Sequence, residues 1–420
     1  MAKNKPNRIY FDSAARLLWF TCALAALTIM PAPAQAPPAE SVLFNFAESP
    51  RGEFPYAGVI GDAEGNLYGT ASGGRFNHGV VYKVDKTGKG TILYNYPGGA
   101  AGGSRQAGVI LDSAGNLYRT TALGGTGAGV VRGTAGNLYG TTRHDGKGWG
   151  VVYKVDTTGH ETVLYTFKGG ADGSKPFAGV TLDAAGNLYG TTANGGSTNE
   201  RGVVFKVDPS GNETVLHAFT DGADGCQPFS GVVLDDAGNL YGTTWLGGTG
   251  DRFNLCGVVY KVDPTGHETV LYDFPNGAAG CQPFAGVTLD SAGNLYGTTR
   301  DGGIGTCDTE CGVVYKLDAS GNETVLYSFT GGADGGSPVA GVIRDAFGNL
   351  YGTTPCAGLA YFGSLFRLDA TGHLTVLDAF TGGVAGDEPG SVIRDDAGNF
   401  YGTTYYGGLA NEGVLYKMGL

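Results

Sequence analysis

The sequence predicts an all-β fold, a seven-bladed β-propeller of four-stranded antiparallel blades, and three observations lead to it. Glycine supplies 77 of 420 residues, charged residues only 16%, and the 17 prolines follow no G-X-Y period; against a usual glycine share of about 7%, this opposes helix without implying collagen. Hydrophobic residues reach 41%, with 23 Tyr and 20 Phe, enough to fill a core and too many for a disordered tract. The string AGNLYGTT or a close variant recurs, its Gly-Asn step beginning at Gly65, Gly115, Gly136, Gly186, Gly238, Gly293, Gly348 and Gly398. Self-similarity at such a period marks a repeat architecture.

The chain opens on Lys3, Lys5, Arg8 and Arg16, then runs uncharged over 17–30. That run is shorter than the roughly 20 residues of a membrane span but fits the apolar part of an export signal. Ala32, Ala34 and Ala36 offer cleavage after Ala34 or after Ala36, and Pro37 favours the first. We therefore read 1–34 as a signal peptide, 35–39 as a short linker and 40–420 as a single propeller domain. Cleavage takes the net charge from −12 to about −15, which repels phosphate backbones, so no nucleic acid partner is expected. No second apolar run of membrane length follows, and no membrane span is expected in the mature chain.

Within 40–420 four short strings repeat in order, each a strand by its alternation and its Val, Leu, Tyr and Thr content. In a representative copy, 178–183 leads through a D-x-x-G-N turn into 187–192. A variable glycine-rich loop follows, then 202–208, a short turn, and 213–219. Four antiparallel strands every 50 or so residues is the sequence form of a propeller blade. The first-strand string starts at Ala57, Ala107, Ala178, Ser230, Ala285, Ala340 and Gly390, and the fourth-strand string at Glu40, Thr91, Glu161, Glu213, Glu268, Glu323 and Leu374. Both count to seven, and the last unit lacks a fourth strand of its own. The N-terminal strand at 40–46 is thus expected to join the last blade and close the ring. One irregularity stands out: two Gly-Asn steps lie only 21 residues apart, at Gly115 and Gly136, so an extra strand pair is expected near 129–156.

A residue present in every blade cannot by itself mark one site. Asp62, Asp112, Asp183, Asp235, Asp290, Asp345 and Asp395 of the D-x-x-G-N step are expected to cap their own turns, with Gly186 and its equivalents at positive φ. Chain direction puts the variable loops on the opposite rim, where binding is expected. Trp245, Phe253, Tyr361, Phe362, Tyr405 and Tyr406 are non-repeated aromatics of that rim and candidates for sugar or peptide contact. Asp172, Asp224 and Asp334 in its GGADG loops offer calcium sites or simple turns, and Arg344 and Arg394 sit at the far ends of two first strands. No cofactor is otherwise implied, and no Ser-His-Asp, H-E-x-x-H or phosphate-loop pattern is present. Cys22 falls in the signal, leaving Cys226, Cys256, Cys281, Cys307, Cys311 and Cys356, an even number that reads as disulfides in an exported chain. The pairing that respects the repeat is Cys226 with Cys256, Cys281 with Cys311 and Cys307 with Cys356.

The strings AGNLYGTT, GVVYKVD and ETVLYSF, with GGADG between units, resemble the GloVer tandem repeat of exported bacterial proteins, from Glu40 to the end. A looser similarity is to NHL-type propellers. The resemblance implies a periplasmic or secreted bacterial protein. The function expected is a non-enzymatic, monomeric binding protein that takes a glycan, peptide or cell-surface partner on its variable rim. A metal-dependent lactonase-like hydrolase or lyase and a structural envelope protein are the alternatives.

Overall fold

The computed structural model describes 40–420 apart from 48–51, 56–57, 77–78, 96–108, 112–116, 120–129, 134, 144–148, 157–159, 197–199, 250–255, 306–310, 357, 359–361 and 420. The expected signal and linker lie outside the described residues. Seven four-stranded antiparallel sheets follow one another along the chain. In blade 3 the order from the axis outward is Thr181–Leu182, Leu188–Thr192, Val203–Val207 and Glu213–Ala218. The last sheet joins Asp387–Arg394, Phe400–Tyr406 and Val414–Met418 to Glu40–Asn45, with Glu40 opposite Met418 and Asn45 opposite Val414. The two ends of the ring therefore pair as the strand count requires.

The irregular region resolves differently from expectation. Val130–Arg132, at the stub, pairs with Leu138–Thr142 and is the inner strand of blade 2. The string at Ala107, expected to be that strand, instead supplies a separate two-stranded pair, Val109–Leu111 with Leu117–Arg119. This extra pair touches the inner strands of blades 1 and 2. The reason is sequential: Val130–Arg132 is followed at once by a G-x-x-G-N turn and a complete blade, whereas among the described residues Leu117–Arg119 pairs with Val109–Leu111 alone.

One contact recurs between blades. In six blades the buried Phe just after the outer strand meets, edge to face, the third-strand aromatic of the next blade. The pairs are Phe46–Tyr82 at 4.9 Å, Phe167–Phe205 at 5.2 Å, Phe219–Tyr260 at 5.1 Å, Phe274–Tyr315 at 5.2 Å, Phe329–Phe366 at 5.2 Å and Phe380–Tyr416 at 5.0 Å. Such pairs contribute about 0.5–1.5 kcal/mol each beyond their burial. The ring tip lies on the glycine of the L-Y-G-T strand: a Cβ on Gly297 would stand 2.4 Å from Tyr315 Oη. Threonine adds a second tie, since Thr191, Thr243, Thr298 and Thr353 donate through Oγ1 to the carbonyls of Ser230, Ala285, Ala340 and Gly390 in the following blade, at 2.7–3.0 Å.

The expected cysteine pairing is corrected. Cys256 bonds Cys281, joining blade 4 to blade 5, so neither Cys226–Cys256 nor Cys281–Cys311 forms. Cys311 is disulfide-bonded elsewhere, and Cys307 lies outside the described residues. The physical reason is that the residue before a third strand faces the next blade: Cys256 O accepts from Gln282 N–H at 2.8 Å, bringing Cys281 alongside. Cys226 occupies the position of Cys281 one blade earlier and meets Arg201 rather than a cysteine. Arg201 pairs with Asp221 at 2.5 Å, and Cys226 remains a buried thiol.

Three predictions follow from this packing. The Oη atoms of Tyr82, Tyr260, Tyr315 and Tyr416 are buried without a hydrogen-bond partner, while Phe205 and Phe366 fill the same slot in blades 3 and 6. Tyr315→Phe should therefore raise stability, by up to about 1 kcal/mol in denaturant titration, and a loss would show the hydroxyl to be satisfied. The Cys256–Cys281 bridge closes a 25-residue separation, so the double serine variant should lose about 3.5 kcal/mol in the chain-entropy model. Non-reducing peptide mapping should recover the two cysteines in one linked species, and a Cys226–Cys256 peptide would overturn the assignment.

The third prediction concerns ring closure. Glu40 Oε1 on the closing strand and Asp378 Oδ2 on the outer strand of blade 6 are buried and unpartnered. Burial, then Asp378, pushes the Glu40 carboxyl up to about 8; burial pushes Asp378 up to about 6, against the Ala379 N–H. A raised folded-state pKa means the native state holds the proton more tightly, so this stabilisation is full below the unfolded value and is lost as pH rises toward about 8. Melting temperature should fall between about pH 5 and pH 8, and less steeply in Glu40→Gln. Identical slopes would count against the pair.

Candidate functional site

The two rims differ in chemistry. On the short-turn rim Asp183 behaves as expected: Oδ1 accepts from the Ala185 and Asn187 N–H groups, Oδ2 from Asn187 Nδ2 and Tyr189 Oη, at 2.7–3.0 Å, and Gly186 has φ 88°. Burial alone would raise this carboxyl, but the hydrogen bonds outweigh it and hold it low. Asp62, Asp235, Asp290, Asp345 and Asp395 are held low in the same way. Asp112 lies outside the described residues, and blade 2 carries Gly133 at this position. Arg344 lies over Tyr296 and 3.9 Å from Asp290, and Arg394 lies over Tyr351, so each guanidinium stacks on the preceding blade.

The GGADG aspartates also close turns. Asp172 accepts from Tyr165 Oη and the Lys168 N–H, Asp224 from Thr220 and at His217 Nε2, and Asp334 from Tyr327 Oη and the Thr330 N–H. Their oxygens are engaged by their own loops and by the outer strands that lead into them. Among the described residues no three His, Cys, Asp or Glu side chains converge as a metal-ligand group.

The variable rim is built by a second repeated device, placed just before each inner strand. A non-glycine residue at positive φ, then proline, then most often an aromatic, introduces the strand. Lys175, Gln227, Gln282, Ser337, Glu388 and Phe54 take φ of 48–58°. Each donates its N–H to the preceding blade, to the carbonyls of Trp149, Arg201, Cys256, Cys311, Phe362 and Glu412 respectively, at 2.7–3.3 Å. The proline then lies on that blade's third-strand glycine, as Pro389 does on Gly363. These two anchors set the next side chain at the axial mouth. Phe177, Phe229 and Phe284 stand there in sequence, with centroids 4.8 Å and 5.6 Å apart. Trp245 extends the wall at 5.4 Å from Phe229, its Nε1 donating to Gln282 Oε1 at 3.0 Å, and Arg143 covers Phe177 at 3.9 Å.

Among the described residues the aromatic row of blades 3 to 5 is not continued in blades 6 and 7, where Val339 and Gly390 stand in the aromatic position. The break leaves a cavity of about 300 Å³ lined by Pro55, Phe284, Val339, Pro355, Glu388, Ser391 and Tyr405. Phe284 is 40% exposed. Tyr405 is fixed by stacking on Phe54 at 5.3 Å and by Tyr406 edge-on at 4.6 Å. The Glu388 carboxyl, on the exposed lip, is pushed above its ordinary value by desolvation and then by Asp387.

Of the aromatics singled out from sequence, the structure brings Trp245 and Tyr405 to this mouth and places Tyr406 behind Tyr405. Phe362 packs under Gly382 and against the blade 6–7 core, which makes it a packing residue. Phe253 and Tyr361 lie outside the described residues. Sequence reasoning passed over Phe177, Phe229 and Phe284 because they repeat. The available signal was the Pro-Phe pair before the first strand and its loss at Val339 and Gly390.

Among the described residues no helix is long and apolar enough to cross a membrane. No curated protein matches the chain. Among solved structures, virginiamycin B lyase from Staphylococcus aureus is similar over 91% of this chain and 99% of its own, at 13% identity and a TM-score of 0.51. A puromycin hydrolase aligns over 84% of this chain and 50% of its own, at 14% identity and a TM-score of 0.45. A gluconolactonase from Xanthomonas campestris aligns over 69% and 90%, at 16% and 0.35. The family model of the Gloeobacter/Verrucomicrobia repeat matches residues 126–307 and 250–420, more than half of the sequence, and the chain belongs to that family.

Proposed function

We propose that this propeller is an exported, non-enzymatic glycan-binding protein whose ligand enters the axial mouth of the variable rim. The observation that carries the reading is the break in the aromatic row: Phe284 and Tyr405 face an open cavity of about 300 Å³, at the small end of the range of ligand pockets. Flat apolar faces beside polar groups, here Glu388 and Ser391, suit the alternating apolar and hydroxylated surfaces of a sugar. A peptide added as a strand needs a free sheet edge of useful length; the inner edge is short, two residues in blade 3 at Thr181–Leu182, and the outer edges lie at the circumference, away from this mouth. A lyase or lactonase-like reading rests on fold likeness alone, which carries architecture and not activity.

Glycan arrays probed with the mature chain provide the test. Binding should weaken at least about tenfold, near 1.4 kcal/mol, in Phe284→Ala and Tyr405→Ala, and change little in Phe347→Ala, an exposed aromatic of the opposite rim. Failure to bind any glycan, or binding indifferent to both changes at the cavity, would remove the proposal.

A further inference from the structure

Glu388 is the one charged side chain lining the cavity, and its place in the repeat is informative. The same positive-φ position carries Phe54, Lys175, Gln227, Gln282 and Ser337 in other blades. Among the described residues blade 7 alone supplies an anion there, and blade 7 also carries Gly390 where the aromatic row stops. Carboxylate and opening thus occur together. Asp387 adjoins it, and among the described residues no lysine or arginine pairs with either group. By contrast the acidic side chains Asp221 and Asp290, elsewhere on the ring, each have an arginine within 4 Å.

We infer that the group seated in this cavity is a protonated amine, specifically the free amino group of an amino sugar, held by Glu388 and bounded by the faces of Phe284 and Tyr405. An aromatic face attracts a cation through its quadrupole, and a carboxylate at the lip supplies the counter-charge. Each feature favours a cation over a neutral group, and the two converge on the ammonium. The net charge of −12 favours approach of such a ligand without choosing its seat. This inference rests on the glycan-binding reading and adds the chemical class of the sugar.

The test compares glucosamine oligomers with their N-acetylated counterparts by calorimetric titration of the mature chain at near-neutral pH. The free-amine oligomer should bind about tenfold tighter. Glu388→Gln should erase that preference, bringing the two oligomers to the same affinity. Asp236→Asn, an exposed carboxylate on the opposite rim, should change neither affinity. Equal affinity for the two oligomers, with loss of both in Phe284→Ala, would overturn the amine assignment and leave the glycan reading standing. An equal loss in Asp236→Asn would assign the preference to diffuse charge and overturn the inference. Binding of neither oligomer, or of a lysine-bearing peptide in their place, would overturn it as well.

Discussion

The fold depends on a ring set edge-on into its neighbour. At six blade junctions the residue just after an outer strand is a buried phenylalanine, and its ring meets the third-strand aromatic of the following blade within 4.9–5.2 Å. That second ring reaches inward until its tip lies on the neighbouring strand, which only a residue without Cβ can accommodate. The glycine of L-Y-G-T-T follows from this, and with it the threonine beside it that bonds across the same junction. Outer strand, third strand and second strand are thus tied to one constraint on volume, and a change in any of them would be felt in two blades.

The blade count, strand order and ring closure were legible because each rests on alternation and turn chemistry, which act over a few residues. The glycine excess was only half legible. Glycines such as Gly186 do take positive φ in turns, but Gly297 and its equivalents sit inside strands for reasons of space, and no local rule separates the two classes. The cysteine pairing failed for a related reason. Cys226 and Cys256 are neighbours along one blade, yet the chain presents the residue before a third strand to the next blade, so Cys256 finds Cys281. Adjacency across a junction is a property of the assembled ring.

The mouth of the channel shows the same limit from the other side. Trp245 and Tyr405 attract notice because they are not repeated; Tyr405 lines the cavity, while Trp245 packs on Phe229 beside it. Phe284 escapes notice because it is repeated, although it forms the wall. In a tandem array the informative position is one where a pattern stops, and Val339 and Gly390 are informative for the side chains they lack.

The two-stranded insertion between blades 1 and 2 gives the ring a feature its repeats cannot: an origin. Seven blades reach the outer edge, but the extra pair lies against the inner strands Ile60–Gly61 and Val130–Arg132. An extra strand therefore borders the axis in that sector alone, and no rotation about the axis maps the molecule onto itself. A ring of near-identical units would offer a ligand on its axis several equivalent orientations. The wedge between blades 1 and 2 and the gap at blades 6 and 7 remove that equivalence.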